Sequence, residues 1–137
     1  MAKWLVKSEP TSWSFAQQTA AGEAGTTWNG VRNHMAKQYL MAMKLGDEAF
    51  FYHSNEGKEI VGVVAVSQTY YPDPTDASGK FGMVDFKVVR RLPHPVTLDA
   101  IKREPTLADM VLVKNSRLSV QPVTDVEWTA VCRMGGE

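Results

Sequence analysis

The chain has one cysteine, no net charge and no long apolar run. With Cys132 alone no internal disulfide can form, which suits a reducing compartment. Fifteen basic residues offset fifteen acidic ones. Non-specific duplex binding rests on counterion release from a strongly basic surface, and this composition does not supply one. Any nucleic-acid contact must then come from a local patch, or from a pocket that reads a single base. No segment approaches the roughly 20 apolar residues a membrane helix needs, and residues 1–7 are too short and too interrupted for a signal peptide. The expectation is a soluble, cytoplasmic protein with no membrane partner.

Enzyme signatures are equally scarce. His34, His53 and His94 lie far apart and match no metal-ligand spacing. There is no Gly-x-Ser-x-Gly elbow and no phosphate loop. Asp73 and Asp76 fall in a loop without forming a carboxylate pair, and Cys132 has no base beside it in sequence. No catalytic residue, metal or cofactor is expected.

What is present is an ordinary globular composition, 44% hydrophobic and 22% charged, over the 137 residues typical of one domain. Residues 4–8 read as a strand with Trp4, Val6 and Ser8 on one face, ended by Pro10. Ser14 and Gln17 form a capping box for a short helix. Residues 20–27, small and Gly-containing, predict a mobile loop, and Asn29-Gly30 a tight turn. Met35, Tyr39, Leu40 and Met43 share one helical stripe, with Gly46 stopping the helix. Strands are predicted over 48–54, over 60–70 (apolar on both faces at its start), over 84–92 with Val84, Phe86 and Val88 inward, and over 118–123. A short helix spans 97–104. A last helix is opened by the Thr124–Glu127 capping box, with Val123 and Trp128 as its staple. With no βαβ rhythm, the fold class is α+β: a small mixed β-barrel of five to six strands flanked by short helices, a single domain over 1–137.

Four polar-aromatic islands interrupt this pattern where packing alone does not require them: Lys7-Ser8-Glu9-Pro10, Trp28-Asn29-Gly30-Val31-Arg32-Asn33, Tyr52-His53-Ser54-Asn55 and Arg117-Leu118-Ser119-Val120-Gln121-Pro122. Together they suggest one pocket for a flat, polar, unsaturated ligand, a nucleobase first. Trp28 would stack on it, or be a core tryptophan capping the barrel. Arg32 and Asn33 offer a cation and an amide to a base edge or phosphate; equally, Asn33 could cap the following helix and Arg32 be solvated. Ser8 is a ligand contact or a backbone-bonded hydroxyl. Lys7 is solvated or at a phosphate. On a regular strand Tyr52 and Ser54 face one way and His53 the other, so one set could line the pocket but not both. Arg117 is a phosphate or ligand contact, or a surface arginine.

These islands, in this order, resemble the EVE domain of the PUA-like superfamily. The resemblance runs on through Met43-Lys44-Leu45-Gly46-Asp47, Ile60-Val61-Gly62, Tyr71-Pro72-Asp73-Pro74-Thr75 and Glu127-Trp128. It extends to the thymocyte nuclear protein 1 group and, distantly, to YTH domains, readers of N6-methyladenosine in RNA. It implies a PUA-like barrel with a pocket for a modified base. Trp28 would be a cage wall, Ser8 a pocket-edge contact, and Lys7 and Arg117 phosphate contacts; Trp13, Tyr70 and Phe81 are further possible walls. The chain departs from the family in a shorter loop over 76–82.

Three functions follow as expectations. The first is a non-enzymatic module that binds a modified nucleobase in single-stranded or flipped-out DNA or RNA. The second is a hydrolase-like enzyme acting in the same pocket, with His53 as its general base. The third is a protein-interaction module, its protein partners unspecified.

Overall fold

A computed structural model of the chain describes residues 2–137. Among these residues six strands form one mixed sheet: β1 (Lys3–Ser8), β2 (Thr26–Thr27), β3 (Glu48–His53), β4 (Glu59–Pro72), β5 (Gly82–Thr97) and β6 (Val120–Val123), in the order β2-β5-β4-β3-β1-β6. Only β1 and β3 run parallel; every other pairing is antiparallel. The α+β class and the six strands agree with expectation. The sheet, however, does not close into a ring: β2 and β6 are its free edges.

Strand β4 sits in the middle of the sheet, between β3 and β5, and its side chains enter the cores on both faces: Val61, Val64 and Val66 on one, Ile60 and Val63 on the other. That is why residues 60–66 read as a continuous apolar run: all are buried. One face packs Trp4, Val6, Phe51, Val64, Phe86 and Val120 with helix α2 (His34–Ala42). The other packs Leu5, Phe50, Val63 and Ile101 with helix α5 (Asp125–Met134), where Trp128 stacks on Phe50 at 3.8 Å between centroids.

Both predicted capping boxes are formed, at Ser14 for α1 (Phe15–Ala20) and at Thr124 for α5. Helix α1 lies directly on the sheet because Gly62 leaves space for it; a Cβ there would collide with the Phe15 ring. Several expectations need correction. Residues 20–27 hold a turn of 3-10 helix (Gly22–Ala24) and the edge strand β2, whose Thr26 and Thr27 pair with Phe86 and Asp85. Met35 is exposed, Ala36 takes its place against the core, and α2 stops at Ala42 rather than at Gly46. The sixteen-residue β5 runs on through Pro93 and Pro95. Neither proline breaks the ladder, because four residues of β5 bulge out between the Gly62–Arg91 and Ile60–Val96 pairs. Between α3 (Leu98–Arg103) and β6 lies a short helix, α4 (Val111–Lys114), that the sequence pattern does not suggest.

Candidate functional site

The C-terminal end of β1 divides the surface in two. Lys7 pairs with Tyr52 and Ser8 with His53 in the parallel β1–β3 register, so neighbouring side chains leave the sheet on opposite faces. On the Ser8 face is a cavity of about 390 Å³ lined by Ser8, Ser12, Trp13, Thr26, Thr27, Trp28 and Asn29. That volume is within the range of small-molecule sites. Two indoles and five short polar side chains make a wall that is flat in part and rich in hydrogen-bonding groups.

Trp28 is held from several sides. Its backbone N–H donates to the Val84 carbonyl at 2.8 Å. Its ring meets Phe51 and Phe86 nearly perpendicularly, with centroids 5.6 and 5.3 Å away. The residue is 8% exposed. The two roles considered for it therefore coincide: most of the indole belongs to the core, and the remainder faces the cavity. Trp13 is half-buried, and its Nε1–H donates to Gln18 Oε1 at 2.8 Å. Gln18, itself buried, donates to the Phe86 carbonyl at 2.9 Å, so the second indole is fixed to the same strand that supports the first. Ser8 Oγ donates to the Trp13 carbonyl at 2.6 Å, tying β1 to the loop that carries Trp13.

The segment after Trp28 is anchored by a residue that the sequence offered only as a loop aspartate. The Asp73 carboxylate, fully buried, accepts from the Gly30 N–H (2.9 Å), Arg32 Nη1 (3.1 Å), and the N–H and hydroxyl of Thr75 (2.8 and 2.6 Å). Burial alone would push this carboxyl up. The bonds from Thr75, Gly30 and Arg32 outweigh it and hold the group at about 2. Gly30, at φ 84°, makes the left-handed turn that brings its N–H to Asp73. Asp73 was findable only as a polar residue inside a Tyr-Pro-Asp-Pro-Thr run; its partners Gly30 and Arg32 lie more than 40 positions away.

The other predicted residues sort as follows. Arg32 is committed to Asp73, Thr75 and the Val31 carbonyl, and its guanidinium lies 5.8 Å from the Phe81 ring. Asn33 caps α2, accepting from the Ala36 N–H at 2.9 Å. His53 leaves the sheet on the Ser8 face but does not line the cavity: its Nε2 accepts from the Phe15 N–H at 3.1 Å, at the start of α1. Burial lowers its pKa, with Glu59 opposing and Arg91 adding to that shift. Tyr52, Ser54 and Lys7 line a different cavity of about 230 Å³ on the opposite face. Arg117 is exposed and borders a small recess with Asn33 and Met35. Phe81 packs on His34, and Tyr70 packs against the core beside Gly82; neither lines the Trp28 cavity. The structure thus brings Ser8, Trp13 and Trp28 together. It adds Ser12, Thr26, Thr27 and Asn29, and it places the remaining residues elsewhere. Among the described residues no group of histidine, cysteine and carboxylate side chains is arranged to hold a metal ion, and no helix is long and apolar enough to cross a membrane.

Comparison with known proteins identifies the fold and the family. The fold is that of a Rhodopseudomonas palustris protein solved by NMR, 63% identical, with a TM-score of 0.94 covering 99% of this chain and 94% of that one. It is also that of human THYN1, crystallised in complex with 5-methylcytosine-containing DNA: 34% identical, TM-score 0.93, covering 100% of this chain and 99% of that one. Chicken (Gallus gallus) thymocyte nuclear protein 1 is 36% identical over 166 aligned residues, which span 98% of this chain and 69% of that protein. A YTH domain from Zygosaccharomyces rouxii, 16% identical with a TM-score of 0.61, shares the fold. The EVE domain family matches residues 2–134, and the chain belongs to that family.

Proposed function

We propose that this protein is a non-enzymatic binding module that takes one modified nucleobase of DNA or RNA into the Trp28 cavity. The observation that carries this function is the pairing of two fixed indoles, Trp13 and Trp28, with the hydroxyls of Ser8, Ser12, Thr26 and Thr27 and the amide of Asn29 around one cavity of base-accommodating size. An aromatic face accepts any base, and stacking is worth about 1–3 kcal/mol. Polar groups on the rim then distinguish one base edge from another. Both indoles are anchored before a ligand arrives, so binding forfeits little side-chain freedom.

A 5-methylpyrimidine is the first modified base to try, because human THYN1, whose crystallised chain this chain matches over 99% of its length, was crystallised with 5-methylcytosine DNA. Burying the extra methyl group contributes about 0.8 kcal/mol, or roughly fourfold in affinity. Larger discrimination requires a hydrogen bond that the unmodified base leaves unmade. The base would enter from a single strand, or flipped from a duplex at a cost of a few kcal/mol. A general-base role for His53 finds no support in its geometry, since its Nε2 lone pair already holds the start of α1. The test is titration of matched oligonucleotides, differing in one modified base, against wild type and Trp28→Phe. A modified-base preference that shrinks in the variant supports the function; equal affinities for every base offered would refute it.

A further inference from the structure

A second feature lies on the face opposite the Trp28 cavity, at the same end of the sheet. The 230 Å³ cavity lined by Lys7, Tyr52, Ser54, Lys58 and Ser116 shares Lys58 and Leu98 with a neighbouring cavity of about 370 Å³, lined also by Asp99, Lys102 and Arg103. The two make one groove with four cations against one carboxylate. Among the described residues none of the four cations forms an ion pair. In a chain of zero net charge this is a local concentration of free positive charge.

The groove is assembled from separate elements. Lys7 Nζ donates to the Ser116 carbonyl at 2.7 Å and lies 5.7 Å from the Tyr52 ring centroid. An ammonium carries three donors, and no other hydrogen bond from this one is formed among the described residues. The Leu98 N–H donates to the Lys58 carbonyl at 2.8 Å, docking the β3–β4 turn on the start of α3. Lys102 and Arg103 occupy the last turn of α3, where cations also suit the helix dipole. Lys58 itself sits at φ 48°, a conformation that glycine adopts freely and a long side chain seldom does. Residues held in this region persist where the surrounding structure fixes them, and they cluster at ligand-binding sites.

We propose that this groove binds the phosphodiester backbone of the strand whose base occupies the Trp28 cavity, with Lys7, Lys58, Lys102 and Arg103 each placed to meet phosphate oxygens. The inference rests on the base-binding function and extends it from one base to its flanking nucleotides. The two cavities are separated by little more than the end of β1, because Ser8 lines one and Lys7 the other. Glu9, the residue after Ser8, lines neither cavity, and its carboxylate accepts a bond from Asn55 at 2.9 Å.

The test is the salt dependence of oligonucleotide binding by the full chain. The probes are a modified-base oligonucleotide and the same modified nucleoside without phosphate. The variants are Lys58→Gly, which relieves the left-handed strain while removing the charge, and the triple change Lys58→Gln, Lys102→Gln, Arg103→Gln. Lys44→Gln, an exposed lysine outside the groove, is the control. Each phosphate that a variant no longer neutralises lowers the slope of log affinity against log salt by about 0.7 on single strands and about 0.9 on duplex. The triple variant should therefore bind a single strand with a slope shallower by roughly 2. It should bind the free nucleoside as wild type does, and Lys44→Gln should change neither. An unchanged slope in the triple variant would overturn the groove, as would a control whose slope falls as much. Failure of the base-binding function shows differently: the nucleoside then binds neither protein, whatever happens to the slope.

Discussion

Replacing Trp28 separates two loads that its position combines. Alanine there removes a buried indole packed edge to face on Phe51 and Phe86, and truncations of this kind cost about 3–5 kcal/mol. At about 2.1 cal/mol/K per residue the 137-residue chain has an unfolding entropy near 290 cal/mol/K, so the melting temperature should fall by about 10–17 °C. Weaker ligand binding in Trp28→Ala would then mix unfolding with the removal of a stacking surface. Trp28→Phe keeps a ring between the two phenylalanines while reducing the aromatic surface at this position of the cavity wall. Trp13→Ala is the complementary probe, since Trp13 is half-buried and supports less of the core. If Trp13 stacks on the ligand, its removal costs about 1–3 kcal/mol, or roughly 5- to 150-fold in affinity. The assay is equilibrium titration with modified oligonucleotides alongside thermal unfolding of each variant. Stability changes as stated, with affinities for every oligonucleotide unchanged in both Trp13→Ala and Trp28→Phe, would show the indoles to be structural only and refute the reasoning.

Further outcomes are expected elsewhere. The Asp73 carboxyl is held at about 2 in the folded protein against 3.8 for the free group. Its stabilising contribution is therefore complete above about pH 4 and is lost as the pH falls toward 2; in Asp73→Asn, acid unfolding followed by circular dichroism should lack that component. His53 is lowered from 6.5, chiefly by burial, so the unfolded chain takes up a proton first and stability should decline as the pH falls below about 6.5. His53→Gln, which can still accept the Phe15 N–H, should flatten that decline and leave base binding intact. Ser14→Ala removes the side-chain cap of α1 and should cost about 0.5–2 kcal/mol in urea unfolding, with a parallel drop in affinity because Trp13 directly precedes that cap.

Which parts of this molecule could be read from sequence follows from how local their causes are. The capping boxes at Ser14 and Thr124 are complete within four residues, and both form. Strand β4 announced its two-sided burial through unbroken apolar residues. By contrast, β2 is only two residues long and exists because Phe86 and Asp85, some 60 positions on, pair with it; nothing in Thr26-Thr27 alone requires a strand. The anchoring role of Asp73 depends on Gly30 and Arg32 in the same non-local way. At the candidate site, alternation correctly separated Tyr52 and Ser54 from His53. It could not say which set met the cavity, because that depends on which face α1 covers. In the event α1 occupies His53, while Tyr52 and Ser54 turn toward Lys7 on the other side. Arg32 and Asn33 were attractive as donors, but each is spent on holding its own segment in place.

The most direct test of the central claim is to locate the ligand on the protein. In amide and indole N–H spectra of isotope-labelled protein titrated with a modified nucleoside, the largest shifts should fall on Ser12, Trp13 and residues 26–29, with both indole signals moving. Shifts that instead cluster on the open groove lined by Val126, Thr129 and Arg133, with the two indoles unmoved, would contradict it.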